Sequence, residues 1–344
     1  MPPAAPRRSS PGRALLAQVL VSAAVLVLLL LDTRMRDLGR ALSVVSLPWL
    51  LAAGASKGAA LIIRELRLWV MLRTWGRPRL APVLSVGLAS GLLNIVLPAR
   101  GGDLAAAALL HRAVGVPGPA ALAAVGLTSV VEAVVFGLVL LASMLLAGAR
   151  WEALIGLSET HRALGSLSVV TLGVLGAGVA LALVARRLRR CAPVEGSGPR
   201  TFLLRLVNDT GRGLEAARIL AVNALLALVQ VGCILAGSVL LMRAVGLELA
   251  APWMAAVAVM AVGSLVAILL PPTLVAGNAA TSVGVLGLFG VPQAAGLAFG
   301  VLMWTVHCLP TLLLGVWPLW RTAGRMGAAP SVSAPEEPPA PAGR

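Results

Sequence analysis

Arg100 and Asp103 stand three residues apart in NIVLPARGGD, Asn94 to Asp103, with Gly101 and Gly102 between them and apolar runs on either side. The guanidinium of Arg100 suits a phosphate oxygen. Gly101 and Gly102 allow close backbone approach and expose N–H groups near the start of the following helix. Asn94 lies a turn or two earlier. Asp103 either caps that helix, a role worth about 1 kcal/mol, or pairs with Arg100 and simply holds the segment together. In a bilayer an ionisable residue marks a functional site by default, because inserting it costs about 2.5–3.5 kcal/mol.

Glu132 lies inside the apolar run GLTSVVEAVVFGLVLL and has no cation near it in sequence. Arg100 is the expected partner, the alternative being a glutamate that faces a water-filled gap. Thr128 and Ser129, one turn before, can add hydrogen bonds. A second break, LLPPTLVAGN from Leu269 to Asn278, offers Gly277, Asn278 and, further on, Thr281, so it supplies dipoles rather than charge. Asn223 and Gln230 are seven apart on one helix face, the pattern of interhelical hydrogen bonders rather than ligands.

Enzymatic signatures are missing from the sequence. It has no GxSxG, no HExxH and no GxxxxGK[ST] phosphate loop. His111, His161 and His307 are isolated, and Cys191, Cys233 and Cys308 show no ligand spacing. No metal or cofactor is expected, and neither is an ATP-driven pump or an enzyme.

The elements that must position these residues follow from composition. The chain is 59% hydrophobic and only 12% charged, against about a quarter charged in soluble domains. Long apolar runs recur from end to end, which makes this an all-α, polytopic helical membrane protein. The net charge of +15 falls mainly between the apolar runs, as in loops kept on the cytoplasmic side. Aromatic residues are too scattered for a base-stacking platform, so nucleic acid is not an expected partner. Lys57 is the only lysine, and arginine, alanine, glycine and proline are abundant. This composition is associated with GC-rich bacterial genomes.

Residues 1–13 read as a disordered basic start, 14–320 as the membrane domain and 321–344 as a disordered Pro/Ala-rich tail. About six full spans are expected: Ala14 to Leu31 (uncleaved), Ala41 to Ile63 with Lys57 near its inner end, Ala120 to Ala147, Ser166 to Ala185, Ile219 to Met242 and Gln293 to Trp320. The arginine-rich stretch Arg64 to Arg79, with Arg64, Arg67 and Trp69, suits an interfacial helix on anionic lipid. The basic segment Arg186 to Arg218 suits a cytoplasmic loop. Keeping both basic stretches inside requires that Leu80 to Val116 make no net crossing, and keeping Arg321 and Arg325 inside requires the same of Pro252 to Val291. Each is then a re-entrant hairpin broken at its Pro/Gly stretch, or a pair of arms that both cross. Hairpins entering from opposite faces suit an inverted repeat with substrate between the half-helix ends. Both termini are then cytoplasmic, in a bacterial plasma membrane.

GLLNIVLPARGGDLAAAALLHRAVGV followed by LTSVVEAVV resembles the membrane region of bacterial lysylphosphatidylglycerol synthases and their stand-alone flippase-like relatives. The likeness rests on Asn94, Leu97, Pro98, Arg100, Gly102 and Asp103, on Glu132, on Arg64, Arg67 and Trp69 upstream, and on GLFGVP from Gly287 to Pro292. It covers roughly residues 14 to 320. Relatives usually carry Glu-Arg where Thr128 and Ser129 stand, and an acid after the second break, which this chain lacks. The soluble aminoacyl-transferase domain of true synthases is not expected after Trp320. The resemblance therefore implies movement of a phospholipid or lipid-linked headgroup between leaflets, without lysine transfer. Membrane lipid, anionic or lipid-linked, is the expected partner. The alternative is a non-catalytic scaffold for a separately encoded lipid or glycan enzyme.

Overall fold

The computed structural model describes residues 35–96, 101–146, 198–269 and 274–327. The expected first span, the span at Ser166 to Ala185, Arg100 and residues 1–13 lie outside them. All regular structure among the described residues is helical. Helix α1 (Met35–Ser43) leads into α2 (Leu47–Leu72), α3 (Leu80–Val96) and α4 (Gly101–Leu109), which ends in a π-helical turn, Leu110–Val114. Then come α5 (Gly118–Leu146), α6 (Pro199–Glu215), α7 (Ala217–Ala244), α8 (Pro252–Leu269), α9 (Leu274–Leu288) and α10 (Gln293–Gly327).

Helices α5, α7 and α10 are long and apolar enough to cross a membrane, and α2 joins them when taken with α1, from which it bends by 80°. These four helices match the four expected spans that fall among the described residues. Their outward faces carry large apolar side chains with no protein cover, such as Leu313 and Trp320 on α10 and Leu225 on α7. Lipid is the natural cover for such faces.

Three boundaries differ from expectation in ways that matter. Helix α2 does not end at Ile63 but continues through Arg64 and Arg67 to Leu72, because Leu68, Met71 and Leu72 keep burying its inner face. Lys57 consequently sits near mid-helix rather than near an end. The basic segment after Arg186 is not all loop: Pro199, at the first helical position, opens α6. The buried Gly213 of α6 packs beneath Leu127 and Trp75, and Trp75 Nε1 donates to Asp209 Oδ1 at 3.1 Å. Helix α10 also runs on to Gly327, into the segment assigned to the tail.

Both proline- and glycine-broken segments fold back on themselves. Val83 and Val86 of α3 share a buried cluster with Ala107, Leu109 and Leu110 of the returning arm. Gly263 of α8 faces Thr281 of α9 across the second hairpin. At 1.5 Å per residue the arms are about 20–27 Å long, short of the roughly 30 Å hydrocarbon core. Helix α10 packs against both hairpins. Gly315 admits the backbone of α3 at Leu88, and Gly300 admits that of α9 at Ala279. Small residues allow such close approach where lipid offers no hydrophobic drive to association.

Candidate functional site

Polar chemistry among the described membrane helices collects where the lower part of α2 meets α3, α4, α5 and α7. Arg67 is 0% exposed. Its Nη1 donates to Glu132 Oε2 at 2.8 Å and to Gln230 Oε1 at 2.7 Å. Its Nη2 donates to the Thr128 carbonyl at 2.7 Å and to Asn223 Oδ1 at 3.2 Å, and its Nε reaches Asn223 Oδ1 at 3.3 Å. A guanidinium has five N–H groups, and each has an acceptor here. Asn223 Nδ2 donates back to the Arg67 carbonyl at 3.0 Å. One side chain thus ties α2 to α5 and α7, and removing it would strand several buried acceptors.

Arg64 lies one helical turn earlier on the same side of α2. Its Nη2 donates to Asp103 Oδ1 at 2.9 Å, and Asn94 Nδ2 donates to the same oxygen at 2.8 Å. The first hairpin is thereby closed across its break and fastened to α2. Gly102 makes the closure possible, since a Cβ there would strike the Ser90 carbonyl and the Asn94 backbone nitrogen. Glu65, 1% exposed, lies over Gly87 of α3, where a Cβ would fall inside its carboxylate. Arg64, Glu65, Ser90, Asp103, Ser129 and Glu132 line a cavity of about 20 Å³ between these helices, room for a water molecule.

Measured against the sequence-based expectations, the structure brings together Asn94, Gly102, Asp103 and Glu132. Glu132 does have a cationic partner, but it is Arg67, not Arg100. Asp103 is the third residue of α4 and points its carboxylate at Arg64 and Asn94. It therefore makes an interhelical bridge that neither expectation, a cap or a pair with Arg100, included; Arg100 lies outside the described residues. Gly101 opens α4 beside it. The interfacial helix expected for Arg64, Arg67 and Trp69 is not formed: all three belong to α2, with Arg67 fully buried and Arg64 in the cavity wall. Trp69 Nε1 donates to the Pro78 carbonyl at 3.0 Å, and Arg73 stacks on its ring at 5.2 Å, so this tryptophan closes the α2–α3 turn. Gly277 and Asn278 lie on α9 and do not line the cavity. Asn223 and Gln230 are interhelical hydrogen bonders as expected, with Arg67 as their common partner.

Sequence reasoning missed Arg64, Arg67 and Glu65 as members of this cluster. The available signal was the apolar run Leu68 to Leu72, which continues past the arginines. Positions 64 and 67 are also one helical turn apart and share a face.

Residues 15–315 match the family described as Lysylphosphatidylglycerol synthase TM region. No curated protein matches the chain. The match spans most of the 344 residues, including every helix that builds the charged cluster, and the chain belongs to the lysylphosphatidylglycerol synthase transmembrane-region family of multi-pass membrane proteins.

Proposed function

We propose that this protein moves a phospholipid or lipid-linked headgroup between membrane leaflets, without catalysing a covalent step, in a bacterial plasma membrane with both termini cytoplasmic. One observation carries the reading: a short broken hairpin inside a membrane fold is held shut by an exchangeable ion pair, Arg64 to Asp103. The Arg64 side chain is 27% exposed and lines the cavity, so an anion arriving there would compete with the Asp103 carboxylate for its guanidinium. A headgroup phosphate has the charge and the bidentate acceptor geometry to do so. Asn94 and the backbone of Gly101 and Gly102 stand at the same place, and Arg100 belongs to the same break. Arg67, with all its donors engaged, has a different part: it fixes the frame against which the hairpin moves. Family membership supports a role in lipid modification or flipping.

A cavity of about 20 Å³ is far smaller than the several hundred cubic ångströms typical of ligand pockets. Headgroup entry must therefore accompany displacement of the hairpin, and α4 is the element short enough to yield. The same closed geometry favours a second reading, a scaffold for a separate lipid-modifying enzyme, in which the Arg64–Asp103 pair is a permanent clasp.

Mass spectrometry of lipids co-purifying with the wild type and with folded Arg64→Ala and Asp103→Asn variants separates the two. A phosphate-bearing lipid class enriched in the wild type and lost in Arg64→Ala supports transport. Equal profiles in all three proteins would leave the scaffold as the better reading.

A further inference from the structure

Glu65 is the one carboxylate of the cluster that no cation among the described residues hydrogen-bonds. Asp103 accepts from Arg64 and Asn94, and Glu132 accepts from Arg67. Glu65 is 1% exposed and lines the cavity, yet its Oε1 has no hydrogen-bond partner among the described residues. Its nearest cation, Arg64 Nη1, is 3.9 Å away, beyond hydrogen-bond reach. The cavity beside it is walled by Leu68, Ala106 and Val125 as well as by Ser90, Thr128 and Ser129, and Gly87 lies beneath its carboxylate. A buried carboxylate so placed loses its hydration with little in return, and such groups are neutralised by a proton or a bound cation. A metal cation of the calcium or magnesium kind requires about six oxygen ligands, and the described residues include no group of three or more His, Cys, Asp or Glu side chains placed to hold one. A proton requires one oxygen, and the adjoining cavity has room for the water that would deliver it.

We propose that Glu65 is a proton-binding site whose occupancy controls the Arg64–Asp103 clasp, and thereby couples movement of the first hairpin to proton uptake and release. The inference rests on the lipid-moving reading for its consequence, though not for the proton site itself. Arg64 lies between two carboxylates, bonded to Asp103 and 3.9 Å from Glu65. With the proton on Glu65, Arg64 stays with Asp103 and the hairpin is closed. When the proton leaves to water, the Glu65 carboxylate draws Arg64 and weakens its hold on Asp103. The charged and titratable groups around Glu65 are Arg64 and Arg67 on its own helix, Asp103 on α4 and Glu132 on α5. Helix α3 presents only Gly87 and Ser90 there, α7 presents neutral Asn223 and Gln230 to Arg67, and α10 carries His307.

The test uses the full chain twice. In detergent, infrared spectroscopy of the wild type should show a protonated-carboxyl C=O band that loses intensity as pH rises and is absent from Glu65→Gln. In vesicles containing a fluorescent-tailed phosphatidylglycerol, the outer leaflet bleached by an impermeant reductant, the wild-type rate should rise with pH. The rise should be about tenfold per unit on the acid side of the titration. Glu65→Gln should be slow and flat across pH, whereas Glu65→Asp should restore a pH-dependent rate. Loss of no carboxyl band in Glu65→Gln would overturn the proton site, whatever the lipid does. A band removed in Glu65→Gln with an unchanged pH profile would overturn the coupling. Wild type that moves no lipid at any pH, with the band present, would sink the lipid-moving reading and the coupling while leaving the proton site established.

Discussion

The hairpin of α3 and α4 contributes Asn94 and Asp103 to the charged cluster and receives Arg64 and Glu65 from α2. The hairpin of α8 and α9 has no charged residue between Trp253 and Phe289. It packs Met254, Ala255, Val285 and Leu286 into a buried apolar cluster with Phe299 of α10. Both are short and broken by proline and glycine, and both lean on α10. The first is held by the Arg64–Asp103 ion pair and the Asn94 hydrogen bond to the same carboxylate oxygen. The second is held by backbone contact at Gly296 and Gly300, where Cβ atoms would strike Val283 and Ala279. Packing of that kind has no ligand to compete with it. On the proposed function the two hairpins have separate parts: the polar one moves and the apolar one braces.

The largest effect should come from the frame on the charged side. Replacing Arg67 by leucine leaves Glu132, Gln230, Asn223 and the Thr128 carbonyl without their donor. Breaking a buried pair in this way costs about 3–5 kcal/mol. The expected outcome is a sharp fall in the monodisperse fraction and in the detergent melting temperature. A stable Arg67→Leu protein would show that α2, α5 and α7 are held by packing alone, and the contrast between the halves would weaken.

Next come the two glycines at which the hairpins touch their neighbours. Gly102→Ala places a methyl against the α3 backbone, and Gly300→Ala places one against α9. Overpacking of this kind costs about 1–3 kcal/mol, so both variants should melt earlier. They should part in a second measurement. Hydrogen exchange of α4 should quicken only in Gly102→Ala, which moves Asp103 away from Arg64. Equal exchange in the two variants would argue that the bridge does not govern the first hairpin.

A smaller effect is expected from Asp103→Asn, which keeps shape but removes the charge facing Arg64. The pair is only partly shielded, at 27% and 14% side-chain exposure, so the cost should lie between that of exposed and buried bridges, about 1–2 kcal/mol. Faster exchange in α4, with α9 unaffected, would mark the clasp as local to one hairpin. Unchanged exchange in α4 would show that Asn94 and packing suffice to close it.

How far these features were legible depended on their physics. The membrane class and four of the spans follow from runs of Leu, Val and Ala whose length matches the bilayer. The hairpins were legible because proline and glycine break such runs at Pro98 and Pro271, and because loop charge forbade a net crossing. The partners of the charges were not legible. Glu132 was expected to meet Arg100, the cation of the conspicuous motif, but the tertiary fold brings Arg67 from 65 residues away. A hydropathy reading ended the second span at Ile63, since it sees charge but not the acceptors on α5 and α7 that satisfy it. Glu65 was invisible for a related reason: its setting is created by Gly87 on another helix.

The smallest predicted effect bears on the comparison most directly. Asn278 is exposed on α9, away from the cavity, although its place beside the second break made it a candidate for the other wall of one shared site. If the halves have separate parts, Asn278→Ala should cost no more than about 1 kcal/mol, the net worth of a single hydrogen bond. It should also leave the co-purifying lipid profile as in the wild type. Arg64→Ala, measured alongside, should lose the enriched class. A loss of lipid in Asn278→Ala comparable to that in Arg64→Ala would mean that the hairpins converge on one substrate when the first opens. In that case the apolar packing of the second would describe only the closed form, and the polar edge at Asn278 would belong to the path.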